Sequence, residues 1–337
     1  MSSMPRATSE SLRNQKKRKR KRRKRIMRRI LICLMFVVAV VSGAIAAKIN
    51  YEVTDAFSAL DRDTSSDLSN VLDDSDLLSD SDVINILLIG SDKRGNWKQT
   101  GRSDSVMIAT IDNKNKELKL TSLMRDMYVE IPDNGYNRFN AAYSFGGVSL
   151  LYETIANNFN IRLDGYVLVD FEAFKSVIDE LGGVDIELTE KEYKYLTTAY
   201  KRGSVLDVVS GMNTMNGEQA LAYTRIRQDA NGDFGRTQRQ RNVISALFTK
   251  AKSMPLNDLV SLAKTVLPYV TTDLTDSEIL SYMKTVLFMG TTDIHQMRIP
   301  VDNSFENTKV NKMAVLSIDL EQNQEALRQF IFQSVEE

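Results

Sequence analysis

Between Arg225 and Arg241 the chain sets Arg225, Arg227, Arg236, Arg239 and Arg241 beside Asp229, Asp233 and Gln240. A guanidinium fork binds phosphate oxygens bidentately and stays charged, so such a cluster suits a phosphorylated ligand. Leu221 to Arg227 reads as a strand, in which Arg225 and Arg227 share a face. Asp229 to Gly235 reads as a loop, and a helix follows from about Arg236, with Val243, Ile244, Leu247, Phe248 and Ala251 on one side. Cations at a helix N-terminus oppose its dipole unless an anion sits among them. A solvated basic face paired with Asp229 and Asp233 is the rival account, and spacing alone leaves both open.

The other residues with chemical potential stand at the ends of predicted strands: Asp92, Arg102, Asp104, Arg125 and Asp170. That edge is where open α/β sheets bind ligands. Asp92 in G-S-D and Asp104 in G-R-S-D-S end and begin adjacent strands. As hard oxygen ligands beside phosphate they suit Mg²⁺ (or Mn²⁺); turn capping is the plainer role for such a pair. His295 is the only histidine and Cys33 the only cysteine, the latter inside an apolar run. A Ser-His-Asp triad and a thiol nucleophile are therefore not expected, and no P-loop, G-x-G-x-x-G or zinc spacing is present.

The elements that must position these groups alternate. Strands are expected at Val83–Ile89, Ser105–Ile111, Leu118–Leu123, Tyr166–Val169, Val184–Leu188 and Gln296–Ile299. Helices are expected at Ser149–Phe159, Phe171–Leu181, Leu256–Leu267, Ser277–Met289 and Leu320–Val335. The pattern predicts an α/β fold, a layered mixed β-sheet with helices on both faces, preceded by one transmembrane helix. Residues 1–29 hold 14 basic residues and one acid, and form a basic cytoplasmic tail. Residues 30–47 carry no charge and are long enough for an anchor. Basic flanks stay inside, which places the N-terminus in the cytoplasm and the domain outside a single-pass cell membrane protein. Residues 48–82 read as an acidic linker and residues 83–337 as the folded extracellular domain. Beyond residue 29 the chain has 30 basic and 43 acidic residues, a net charge of −13, which argues against a general polyanion or nucleic-acid binder.

N-I-L-L-I-G-S-D at 85–92, G-R-S-D-S-V-M-I-A-T-I-D at 101–112 and L-T-S-L-M-R-D-M-Y-V-E-I-P at 120–132 are followed in order by further motifs. These are N-R-F-N-A-A-Y-S-F-G-G at 137–147, V-D-F-E-A-F at 169–174, L-G-G-V-D-I at 181–186 and G-D-F-G-R-T-Q-R-Q-R at 232–241. Together they resemble the LytR-CpsA-Psr family of membrane-anchored cell-envelope enzymes, over roughly residues 83 to 252. The resemblance implies a phosphotransferase that attaches a polyprenyl-diphosphate-linked anionic glycopolymer (teichoic acid, capsule or similar) to peptidoglycan. It implies Asp92 and Asp104 as Mg²⁺ ligands, with Asp92, Asp104 and Arg125 catalytic. It implies Arg102, Arg125, Arg225, Arg227, Arg236, Arg239 and Gln240 as the diphosphate-binding set. Phe171 and Phe174 become candidates for lining a lipid pocket, alongside an ordinary core role. The alternatives are a lipid-diphosphate hydrolase and an envelope-associated regulatory protein without catalysis.

Overall fold

The computed structural model describes residue 57 and residues 60–62, 77–91, 103–198, 207–227, 232–291 and 293–335. The basic tail, the expected anchor, most of the acidic segment, Asp92, Arg102 and Asp229 lie outside the described residues. Among the described residues no helix is long and apolar enough to cross a membrane.

The strands are β1 (Asp61–Arg62), β2 (Val83–Ser91), β3 (Ser103–Asp112), β4 (Glu117–Leu123), β5 (Met127–Ile131), β6 (Gly135–Arg138), β7 (Gly165–Asp170), β8 (Val184–Leu188), β9 (Gly211–Met215), β10 (Val270–Thr272), β11 (Ile294–Ile299), β12 (Phe305–Val310) and β13 (Met313–Ile318). The helices are α1 (Ala141–Phe159), α2 (Phe171–Glu180), α3 (Glu190–Thr198), α4 (Gly217–Thr224), α5 (Gly232–Lys252), α6 (Leu256–Val266), α7 (Asp276–Met289) and α8 (Leu320–Phe332). A seven-stranded mixed sheet runs β1-β10-β7-β2-β3-β4-β11, a four-stranded sheet runs β12-β13-β5-β6, and β8 pairs with β9.

Register explains the layering. Leu88 pairs with Met107 and Val167, and Gly90 with Ser105 and Val169, so these side chains share one face of the large sheet. The opposite face carries Leu87, Ile89, Val106, Ile108 and Tyr166, which form one core with Leu151, Tyr152, Ile155 and Phe159 of α1 and Leu327 and Ile331 of α8. Lys119, fully buried on β4, ties α8 to the sheet. Its Nζ donates to Asp112 Oδ2 at 2.8 Å and to the carbonyls of Ile331 and Gln333 at the helix C-terminus. A second core joins Ile178 of α2, Val184 and Ile186 of β8, Leu196 of α3, Met215 of β9, Tyr223 of α4 and Val243 of α5.

Two expectations change. Leu221 to Arg227 is not a strand, because α4 occupies Gly217–Thr224. Asn216 starts it with a capping box, its side chain accepting from Gln219 N at 2.9 Å while Gln219 Oε1 accepts from Asn216 N at 2.9 Å. Gly217 lets α4 lie against α2, since a Cβ there would stand 2.4 Å from Lys175 O. The folded unit also begins before residue 83. Phe57 and Leu60 are buried, and Asp61–Arg62 pair in parallel with Thr271–Thr272 of β10 at the edge of the large sheet. The compact unit runs Ala56–Glu337.

Candidate active site

Arg125 leaves the end of β4 at the sheet edge and is held by three carboxylates. Its Nη1 lies 3.5 Å from Asp104 Oδ1, its Nη2 3.3 Å from Asp233 Oδ2 and its Nε 3.3 Å from Asp126 Oδ2. Asp104 comes from the start of β3, Asp126 from the turn into β5 and Asp233 from the first turn of α5. Asp126 also pairs with Arg138 Nη1 at 3.2 Å. Burial alone would lower the Arg125 pKa, but Asp126, Asp233 and Asp104 outweigh it and raise it.

Asp233 is the hub. Its Oδ1 lies 3.2 Å from Arg236 Nη1 and 3.6 Å from Arg227 Nε, so three guanidinium groups surround one carboxylate. Burial pushes the Asp233 carboxyl up, and Arg236 and Arg125 overcome this and hold it below the usual range. The ion-pair distance between Arg236 and Asp233 does not amount to a hydrogen bond. Arg236 Nε and Nη1 and Asp233 Oδ1 are buried without a hydrogen-bond partner. Arg236 is only 3% exposed, and burial, followed by repulsion from Arg125, pushes its pKa down to about 10. Arg125, Arg138, Arg227 and Arg236 thus face Asp104, Asp126 and Asp233, with cations in excess and guanidinium N–H groups unsatisfied. This is the electrostatic profile of an anion site.

Past Ser105, the residue after Asp104 on β3, the same sheet face lines an apolar cavity of about 230 Å³. Leu88, Met107, Val167 and Val169 of the sheet form its floor, and Phe171, Phe174, Val177, Leu221, Ile244 and Leu247 its walls. Both candidate lipid-pocket residues, Phe171 and Phe174, line it. The Arg225 guanidinium stands 4.3 Å from the centre of the Phe171 ring, a cation over the aromatic wall. Gln240 also lines the cavity, one helical turn on from Arg236. Arg125, Asp126, Arg138 and Asp233 open into a polar groove of about 840 Å³. Its far wall is Asn307, Thr308 and Lys309 of β12, so the C-terminal region contributes to the site.

Of the residues expected from sequence, the structure brings together Asp104, Arg125, Arg227 and Arg236, and sets Arg225 and Gln240 at the cavity. Arg239 is a correction. It is buried on another flank of α5, where Nε pairs with Glu192 Oε1 at 2.7 Å and Nη1 donates to Ile226 O at 3.1 Å. A guanidinium engaged in this way supports the backbone before Arg227 and is not free for phosphate. Arg241 is buried among Gln238 and Gln296, and Asp170 caps α2 through Ala173 N. Asp233, Asp126 and Arg138 were not singled out as site residues by sequence reasoning. Their signal was there, since each lies within a quoted motif beside a selected arginine or in N-R-F-N. Asp104 is the described half of the expected Mg²⁺ pair. It engages Arg125 only at 3.5 Å, and Ser103 Oγ beside it is buried and unsatisfied, so oxygen-donor capacity remains at this edge. Among the described residues no three potential ligands already converge as a metal cluster.

Residues 44–329 match the LytR_cpsA_psr family. The chain is 34% identical over 254 residues to the regulatory protein MsrR of Staphylococcus aureus strain COL, covering 74% of each chain. It is 36% identical over 204 residues to the polyisoprenyl-teichoic acid–peptidoglycan teichoic acid transferase TagU of Bacillus anthracis, covering 60% of this chain and 64% of TagU. Its fold is similar to that of TagV from B. subtilis, at 29% identity and a TM-score of 0.63, covering 76% of this chain and all of that one. TagT with bound octaprenyl pyrophosphate is similar at 25% identity and a TM-score of 0.59, covering 77% of this chain and 98% of that one.

Proposed function

The chain belongs to the LytR-CpsA-Psr family, and on that premise we propose that it is a phosphotransferase that moves an anionic glycopolymer from a polyprenyl-diphosphate carrier onto peptidoglycan. One observation carries the reading: around the buried, incompletely satisfied Arg236, Arg125 and Asp233 line a polar groove, while Gln240, one helical turn on from Arg236, lines an apolar cavity. A ligand that is apolar at one end, doubly phosphorylated in the middle and polar at the other matches that order. TagU is a teichoic acid transferase and TagT binds octaprenyl pyrophosphate, which supports the same substrate class.

The polyprenyl tail would enter between Phe171, Phe174 and Leu247, and the diphosphate would lie against Arg227, Arg236 and Arg125, with Arg102 and Arg225 adding charge. A sugar hydroxyl of peptidoglycan attacks the phosphorus that bears the polymer. The new P–O bond forms as the bond to the bridging diphosphate oxygen breaks, and polyprenyl phosphate leaves. The proton of the attacking hydroxyl passes to a carboxylate, for which Asp92 and Asp104 are the candidates, while the arginines offset charge on the phosphoryl oxygens. Asp104 and Asp92 would hold Mg²⁺ (or Mn²⁺), which when bound supplies further charge neutralisation at those oxygens. The setting consistent with this is a single-pass cell membrane protein with residues 1–29 inside and the domain outside.

Lipid extraction of the purified protein followed by mass spectrometry tests the ligand class. A co-purifying polyprenyl phosphate or diphosphate is the expected result, and lipid-free protein that gains none on incubation with the carrier would contradict it.

A further inference from the structure

The helix α7 is well made and poorly placed for a water-facing element. Thr275 and Glu278 form a capping box and Gly290 closes the helix in the left-handed region. Eight of its residues are apolar, namely Ile279, Leu280, Tyr282, Met283, Val286, Leu287, Phe288 and Met289, and its charges are Asp276, Glu278 and Lys284. None of its residues is buried. Met283 is 41% exposed, Leu287 43% and Phe288 87%, and Tyr269, just before β10, is 53% exposed. Met283 and Leu287 lie one turn apart on one side of the helix, with Phe288 on the flank beyond Lys284, and several large apolar side chains left open to solvent on one helix mark an interaction surface.

The chain itself points to the occupant. Strand β1 pairs with β10, which leads within three residues into α7. Arg62 of β1 pairs with Asp276, the first residue of α7, and donates to the carbonyl of Leu274. The segment entering the fold is thus fastened to the base of this helix. Upstream, the uncharged run of residues 30–47 is separated from buried Phe57 by residues 48–56. Those nine residues reach at most about 32 Å when fully extended. If the run spans a bilayer, this corner of the fold stays within that distance of its surface. Helix α6, which leads to Tyr269, also packs on α2, the helix that carries Phe171 and Phe174 into the cavity.

We propose that α7, with Tyr269, docks on the membrane surface and inserts Met283, Leu287 and Phe288 at the level of the acyl chains. Aromatic and aliphatic side chains on a helix lying in the interface bind in this way. Docking would bring the α2 wall of the cavity near the bilayer from which a polyprenyl tail is drawn. That last consequence rests on the transferase reading, whereas the docking itself does not.

The test uses the full chain reconstituted in vesicles of phosphatidylglycerol and phosphatidylcholine. Phe288→Trp is placed in a Trp97→Phe background, which leaves a single reporter. Docking predicts blue-shifted emission and at least a twofold loss of intensity when the phosphatidylcholine carries brominated acyl chains. Adding Met283→Asp and Leu287→Asp should abolish the quenching while circular dichroism and Tm stay near those of the parent. Water-like emission without quenching overturns the proposal. So does a blue shift that disappears at one chain per vesicle, which would mean that a second copy covers the helix. Quenching by a chain that transfers nothing would leave docking standing and overturn the transferase reading; transfer without quenching would do the reverse.

Discussion

Arg236 is the residue on which the anion-site reading turns. Its guanidinium is buried, its Nε and Nη1 lack hydrogen-bond partners, and its pKa is pushed down to about 10. A folded-state pKa below the unfolded value means that the charged form costs stability at neutral pH. Replacing it with Met should therefore change the stability of the ligand-free protein little, by about 1 kcal/mol or less, since an unsatisfied buried donor is lost with the side chain. Inorganic pyrophosphate should raise the Tm of the wild type and leave that of Arg236→Met unchanged, which a thermal melt with and without the anion will show. Asp233 has the opposite sign. Its folded pKa lies below the ordinary 3.8, so its stabilisation is full above that value and is lost as pH falls through the folded pKa. Asp233→Asn should be less stable than the wild type by about 2 kcal/mol at pH 7. The gap should close in strong acid, as urea titrations at several pH values can measure.

At the scale of elements, helix geometry sorts arginines that look alike in sequence. Arg236 and Arg239 are separated by a single helical turn, yet one faces Asp233 and the other Glu192. The cluster was legible in the chain as a density of cations at a helix start. The split was not, because it depends on Glu192, a partner 47 positions away on another helix. Breaking that buried pair with Arg239→Met should cost about 3–5 kcal/mol by leaving Glu192 uncompensated. The double variant with Glu192→Leu should recover much of the loss, and denaturant melts of the four species in the cycle provide the measure. The strand reading of Leu221–Arg227 failed because A-L-A-Y-T is compatible with either structure, and the capping box at Asn216 and Gln219 decides it. The apolar cavity gives the lipid reading a separate handle. Ile244→Trp should fill part of its roughly 230 Å³ and weaken binding of a polyprenyl diphosphate about tenfold. Affinity for inorganic pyrophosphate should be unchanged in the same titration.

At the scale of the whole molecule, the alternation of strands and helices foretold a mixed α/β layer structure, and near-continuous apolar runs such as V-I-N-I-L-L-I foretold its central strands. Two features escaped that reading because they depend on contacts between distant segments. The two-residue strand at Asp61–Arg62 sits in an acidic, serine-rich stretch and is held by its pairing with β10 and by Arg62 on Asp276 and Leu274. The β12–β13 hairpin carries little motif signal, yet Asn307, Thr308 and Lys309 form one wall of the polar groove at Arg125 and Asp233. An amphipathic diphosphate lying between cavity and groove accounts for both the cations and the two surfaces that flank them. The direct test of that account is product analysis with the full chain, a polyprenyl-diphosphate-linked glycopolymer and peptidoglycan. Wild type should yield polymer covalently attached to peptidoglycan and free polyprenyl phosphate, and Arg227→Ala, while still folded, should lose about 10²-fold or more of that rate. Polymer released unattached, or undiminished transfer by the Arg227 variant, would contradict it.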